Sequence, residues 1–159
     1  NGAEVVDFTL PEAFADSETL HRRMTRLEVR NALAHERNTA WENISLSARG
    51  SIEEGDEVGF ESFVRDLSGA NALRMLFDEE MGDLDALITP SAPGEAPAGL
   101  SFTGATPFNY LWTLLHTPAV TIPSFTGSGG LPVGLQIVGR RWEDDRVLAV
   151  ADWVRAQLD

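Results

Sequence analysis

From Glu61 to Met81 the chain places Phe63, Leu67, Ala70, Leu73, Phe77 and Met81 at steps of three and four, and Gly82 follows as a left-handed helix cap. At once the compact apolar run Leu84 to Thr89 begins, ended by Pro90, the pattern of a buried strand. A helix that passes directly into a buried strand commits the chain to an architecture of helices laid against a sheet. The rest of the chain agrees with an α/β class. Ser17 is a suitable N-cap for an amphipathic helix carrying Leu20, Met24, Leu27, Asn31 and Ala34, with Arg and Glu between them. Ala119–Pro123 and Val133–Val138 read as two strands, with Gly127-Ser128-Gly129-Gly130 as the turn between them. Phe108 to Leu115 reads as a short helix. Glu143-Asp144-Asp145 starts a terminal helix with Val147, Leu148, Ala151, Val154 and Leu158 on one face. The β-favouring run Glu4 to Pro11 reads as an opening strand. Trp41 to Ala48 extends the first helix or forms a second one, and Ile52 to Gly59 reads as a connecting segment. Ser91 to Gly104 holds too many breakers for regular structure.

No repeat, low-complexity tract or linker interrupts residues 1–159, which read as a single unit. The chain has 43% apolar and 23% charged residues, no cysteine and a net charge of −13. That field repels a phosphate backbone, so nucleic acid is not expected as a partner. No apolar run is long enough for a membrane helix, and the expected location is cytoplasmic. A disulfide framework and a thiolate metal cage are excluded by composition. All 12 cations are arginine, and there is no lysine.

His21, His35 and His116 have no second His or carboxylate in a metal-binding spacing, so no metal is expected. The paired carboxylates Glu53-Glu54, Glu79-Glu80 and Asp144-Asp145 read as solvated faces and helix ends. Ser128 invites comparison with a nucleophile or a phosphate cradle. Its turn lies between two strands and lacks the strand-to-helix elbow of a hydrolase serine, so a hairpin turn is the preferred reading. A Ser128–His116–Asp144 triad is a remote alternative. Phe108 and Trp112, four apart, form either an aromatic ligand wall or part of a core. His116 is either a group that orients substrate or a structural histidine.

The ordered series Gly2-Ala3-Glu4-Val5, Asp85 to Pro90, Thr106-Pro107-Phe108-Asn109, Thr117 to Pro123 and Gly130 to Gly139 resembles the C-terminal part of an amidase signature family enzyme. The resemblance implies a mixed sheet covered by helices, and a parent enzyme that cleaves carboxylic amides to acid and ammonia or amine. It implies a Ser nucleophile, a second Ser and a Lys, all from an N-terminal half absent here, and no cofactor. No catalytic residue is carried over, since the chain lacks lysine and the family's catalytic serine loop. Phe108, Asn109, Trp112 and His116 are the residues expected to line the substrate pocket, although the family commonly has glycine where His116 stands. The expectation is therefore a catalytically silent fragment. Its partners would be a small-molecule amide in the intact enzyme, and the missing half or a second copy at an open sheet edge. The alternative is a non-catalytic binding or interaction module that complements a separate chain.

Overall fold

The computed structural model describes residues 2–158. Its contacts divide the chain into two compact units, Ala13–Leu73 and Asn1–Glu12 with Arg74–Asp159. The first is helical: α1 (Ser17–Ala32), α2 (Ala34–Thr39), α3 (Leu46–Asp56) and the first part of α4 (Phe60–Glu80). The expected connecting segment from Ile52 is instead the second half of α3, which Ser45 caps by accepting from the Ala48 N–H. Local sequence disfavours this helix, because Gly50 and Gly55 interrupt it. Packing against α1 decides in its favour.

Two features join α1 to α3. Ile52 is fully buried and Met24 nearly so. Around them the arginines between the apolar positions of α1 meet acidic partners. Arg22 and Arg26 both reach Glu54 at 2.9 Å, and Arg30, joined by Arg37 of α2, clamps Asp56 at 2.5 and 2.7 Å. Hydrogen bonds from these guanidinium groups hold both carboxyls below their ordinary range. Glu54 is thus an ion-pair partner as well as a solvated residue. Arg23 grips the buried Asp66 of α4 through both carboxylate oxygens, at 2.8 and 2.5 Å.

In the second unit, β1 (Leu87–Pro90), β2 (Ala119–Thr126) and β3 (Pro132–Val138) form a sheet in the order β1-β3-β2. Both pairings are antiparallel. The β2–β3 hairpin has the expected turn. Gly127 N–H donates to Leu131 O, Gly130 N–H donates to Gly127 O, and Gly130 has φ +86. Pro123 sits in the edge strand β2, where a missing N–H is tolerated, and the register shifts between Pro123 and Phe125. Helix α6 (Asp144–Leu158) lays Val147, Ala151 and Val154 on Ile122 and Ile137. Short helix α5 (Tyr110–Leu115) buries Leu111, Trp112, Leu114 and Leu115.

The expected opening strand is not formed: residues 4–11 make no ladder. Its β-favouring composition is not sufficient, because a strand exists only with a partner. Val5 is 84% exposed and Val6 52%.

Gly55 tests the α1–α3 contact. A methyl there would overlap the Arg26 carbonyl and crowd Arg30 Cβ at 2.8 Å. In an open helix Gly→Ala stabilises by about 1 kcal/mol. Here Gly55→Ala is expected to destabilise by about 1–3 kcal/mol, through overpacking against backbone. Urea unfolding gives the sign.

Candidate functional site

A cavity of about 840 Å³ lies within the sheet-bearing unit, between residues 4–10, residues 84–89 around β1, and the segment from Pro107 into α5. Phe108, in the turn that leads into α5, and Trp112, within α5, both line it. Trp112 is also core. It is 8% exposed and its ring lies 5.8 Å from that of Phe77, tilted by 54°. Its Nε1–H is buried with no hydrogen-bond partner.

Asn109 does different work. Its Nδ2 donates to Ser91 O at 3.0 Å, and its Oδ1 accepts from Gln136 Nε2 at 2.8 Å. Thr89 Oγ1 donates in turn to Gln136 Oε1 at 3.2 Å. Ser91 then closes the chain on β3, with both its N–H and its hydroxyl donating to Gly134 O. Gly134 permits that approach, since a methyl there would crowd Ser91 Oγ. The result is a directional row of amides and hydroxyls that fixes the start of α5 to β1 and β3. Both ends of the Asn109 amide are used within the fold, and Asn109 is not among the cavity-lining residues. Gln136 was visible in the sequence only as part of a motif. Its role depends on three separate segments meeting.

His116 ends α5 with φ 58, ψ 34. The Thr117 N–H reaches back to Trp112 O and the His116 N–H to Thr113 O, the arrangement that usually recruits glycine. The departure noted in the sequence therefore falls on a left-handed backbone position, where a non-glycine residue costs about 1–2 kcal/mol. The side chain recovers part of this. Arg74, 7% exposed, donates from Nη2 to His116 Nε2 at 2.9 Å and from Nε to Leu114 O at 2.9 Å. Guanidinium only donates, so that ring nitrogen is the acceptor.

Ser128 is not in a comparable setting. It occupies the hairpin tip, beyond Thr126, while His116 precedes the other end of β2. The eight-residue strand between them spans about 23 Å at 3.3 Å per residue. The remote triad is thereby removed. The glycines of the tip do let backbone amides approach an anion, and that anion is the carboxylate of Glu95. Among the described residues there is no cluster of His, Cys, Asp and Glu able to hold a metal, and no helix is long and apolar enough to cross a membrane.

The profile of the amidase family matches residues 60–148, more than half of the chain and the whole of the aromatic wall, hairpin and sheet. The chain belongs to the amidase family. Two curated relatives, both glutamyl-tRNA(Gln) amidotransferase subunits, agree with this assignment. The one from Pseudothermotoga lettingae is 36% identical over 94 residues, 52% of this chain and 20% of the relative. The mitochondrial one from Xenopus tropicalis is 33% identical over 82 residues, 46% of this chain and 16% of the relative. Among solved structures, a crystal structure of an amidase superposes with a TM-score of 0.78 at 25% identity, covering 90% of this chain and 36% of that one. The structure of 6-aminohexanoate cyclic dimer hydrolase superposes at 0.72 with 19% identity, covering 96% and 37%, and shares the fold. These residues thus correspond to about a third of each of those solved proteins and to part of the α/β amidase signature fold.

Two substitutions test the geometry. Asn109→Ala leaves the buried Gln136 amide without its acceptor and is expected to cost about 1–3 kcal/mol in urea unfolding. At position 116 alanine keeps the backbone strain and loses the Arg74 contact, whereas glycine relieves the strain. His116→Ala is therefore expected to be less stable than His116→Gly by about 1 kcal/mol; equal stabilities would contradict the strain argument.

Proposed function

We propose that this chain forms the pocket wall and part of the sheet of an amidase that hydrolyses small carboxylic amides to acid and ammonia or amine. The Ser-Ser-Lys chemistry is supplied by residues outside these 159. The observation that carries this reading is the family fold joined to a sequence in which all 12 cations are arginine. A serine hydroxyl is a weak nucleophile until a neighbouring base takes its proton. Arginine stays protonated at any relevant pH and is no substitute for a proton-shuttling lysine.

The cavity supports the same reading. Its lining joins Phe108 and Trp112 to Leu87, Ile88 and Thr89 of β1, an edge strand of the sheet, and to the ladderless Glu4–Leu10. An unpaired edge beside a β-favouring segment fits a strand of the catalytic region, which would close the cavity and bring its serine to the aromatic wall. Its volume suits a small molecule. The tRNA in the names of the curated relatives is a poorer fit to this region, since the net charge is −13 and arginines of both units are already in ion pairs. The same open edge serves equally a catalytic region on a separate chain, which is the module reading. The two curated relatives described above are each named as one subunit of an amidotransferase.

The chain alone, assayed with aliphatic and aryl amides, is expected to give no turnover above background, with Ser128→Ala indistinguishable from it. In the full-length protein, Phe108→Ala is expected to raise KM for such amides about tenfold, the loss of roughly 1.4 kcal/mol of apolar contact. Turnover by the chain alone that disappears in Ser128→Ala would refute the reading.

A further inference from the structure

We propose that Glu95 is a latch that docks the long loop between β1 and α5 onto the β2–β3 hairpin tip, making residues 92–105 a strap whose position sets access to the aromatic wall. The inference deepens the preceding one, resting on its assignment of that wall to the amide substrate.

The contact is specific. One carboxylate oxygen of Glu95 accepts from Gly129 N–H at 2.8 Å, and the other accepts from Leu131 N–H at 2.8 Å. Two outward-facing amides of a glycine-rich turn form a small anion nest, and charge-assisted bonds of this kind are roughly twice as strong as neutral ones. The turn is shaped for it. A methyl on Gly127 would overlap the Glu95 side chain, and one on Gly129 would crowd its Oε2 at 2.8 Å.

The contact is also isolated. Ser91 is tied to Gly134, and Asn109 N–H returns to Thr106 O. Among the described residues no backbone-to-backbone hydrogen bond holds residues 92–105. The Glu95 carboxylate is, among the described residues, the only side chain of that span hydrogen-bonded to the rest of the fold. Beyond it, Leu100 and Phe102 are fully and more than half exposed. Both ends of the strap run into cavity-lining residues, Thr89 before it and Pro107 with Phe108 after it. Release at Glu95 therefore frees a segment hinged at both sides of the cavity.

Magnitude distinguishes a latch from a receptor. A carboxylate tethered by a short linker faces the nest at an effective concentration on the order of millimolar or more. Free carboxylates at lower concentrations do not displace it, so the nest holds its own side chain.

The experiment uses the full-length protein with Glu95→Ala, Gly127→Ala and the double variant. Gly127→Ala leaves the carboxylate intact but denies it the nest. Hydrogen exchange at the Gly129 and Leu131 amides, which donate to Glu95, reports the latch, and chymotryptic cleavage at Leu100 and Phe102 reports the strap. Each single variant is expected to speed both by about tenfold or more, as the loss of two charged hydrogen bonds implies, and the double variant to be no faster than either. Rates within twofold of wild type, or effects that multiply in the double variant, overturn the latch. So does faster exchange spread through β3, which would make the contact a general prop. With amides as substrate, KM is expected to shift at least threefold while kcat stays within twofold. An unchanged KM with a loosened strap overturns the role at the pocket. Should the wild-type protein cleave no amide, the functional reading fails, and exchange alone decides the latch.

Discussion

Strand β3 is the one strand, among the described residues, with hydrogen-bonded neighbours on both edges, and the site is built outward from it. Its side chains alternate. Leu135 and Ile137 turn to the core under α6, while Gly134 and Gln136 turn to the polar row of Thr89, Asn109 and Ser91. A shift of one residue in register would exchange these faces, placing the Gln136 amide in the apolar core and Ile137 against hydroxyls. Burying an amide without partners costs several times the net gain of one made bond, so the polar row excludes the wrong register more strongly than it stabilises the right one. Just past the strand, Gly139 N–H donates to Pro118 O where a methyl would overlap Val147. That close approach lets α6 lie flat on the sheet.

What was legible in the sequence was what local periodicity encodes. The helix read at Glu61–Met81 is α4, and the terminal helix, the two later strands and their turn are where the spacing puts them. The failures have a common cause in distant partners. Ile52 to Asp56 is helical because arginines of α1 neutralise its acidic face and Ile52 is buried, neither of which a window around Gly55 contains. Glu4 to Pro11 has strand composition but no neighbouring ladder. Glu95 sits in a breaker-rich loop where no period exists to be read, and its partners lie more than thirty residues away.

The site was legible to a similar depth. Phe108 and Trp112 both line the cavity, but the short helix read from Phe108 begins at Tyr110, so Phe108 reaches the cavity from the turn before α5. Asn109, one residue from Phe108, is directed instead to β3 and Ser91. His116 stood out only by comparison with a family habit. The backbone supplies the reason, since a left-handed cap is glycine's natural place and an Arg74 partner is what makes histidine tolerable there.

The aromatic wall and the loop beside it differ sharply in how firmly they are held. The wall is fixed by the buried Trp112 ring and a row of paired amides. Residues 92–105 have one polar attachment among the described residues. Ordering a residue's backbone costs roughly 1–2 kcal/mol, so complete immobilisation of this span would cost well over about 10 kcal/mol. Two charge-assisted hydrogen bonds contribute about 3–6 kcal/mol at most. They are enough to fix where the loop touches the hairpin and too little to freeze the stretch beyond it, where Leu100 and Phe102 have little packing to add. Local stability in a protein is graded in this way, with the segments that move drawn from the weakly held end. The rigid wall defines the shape offered to a ligand, and the loosely held span next to it leaves room for that shape to be entered.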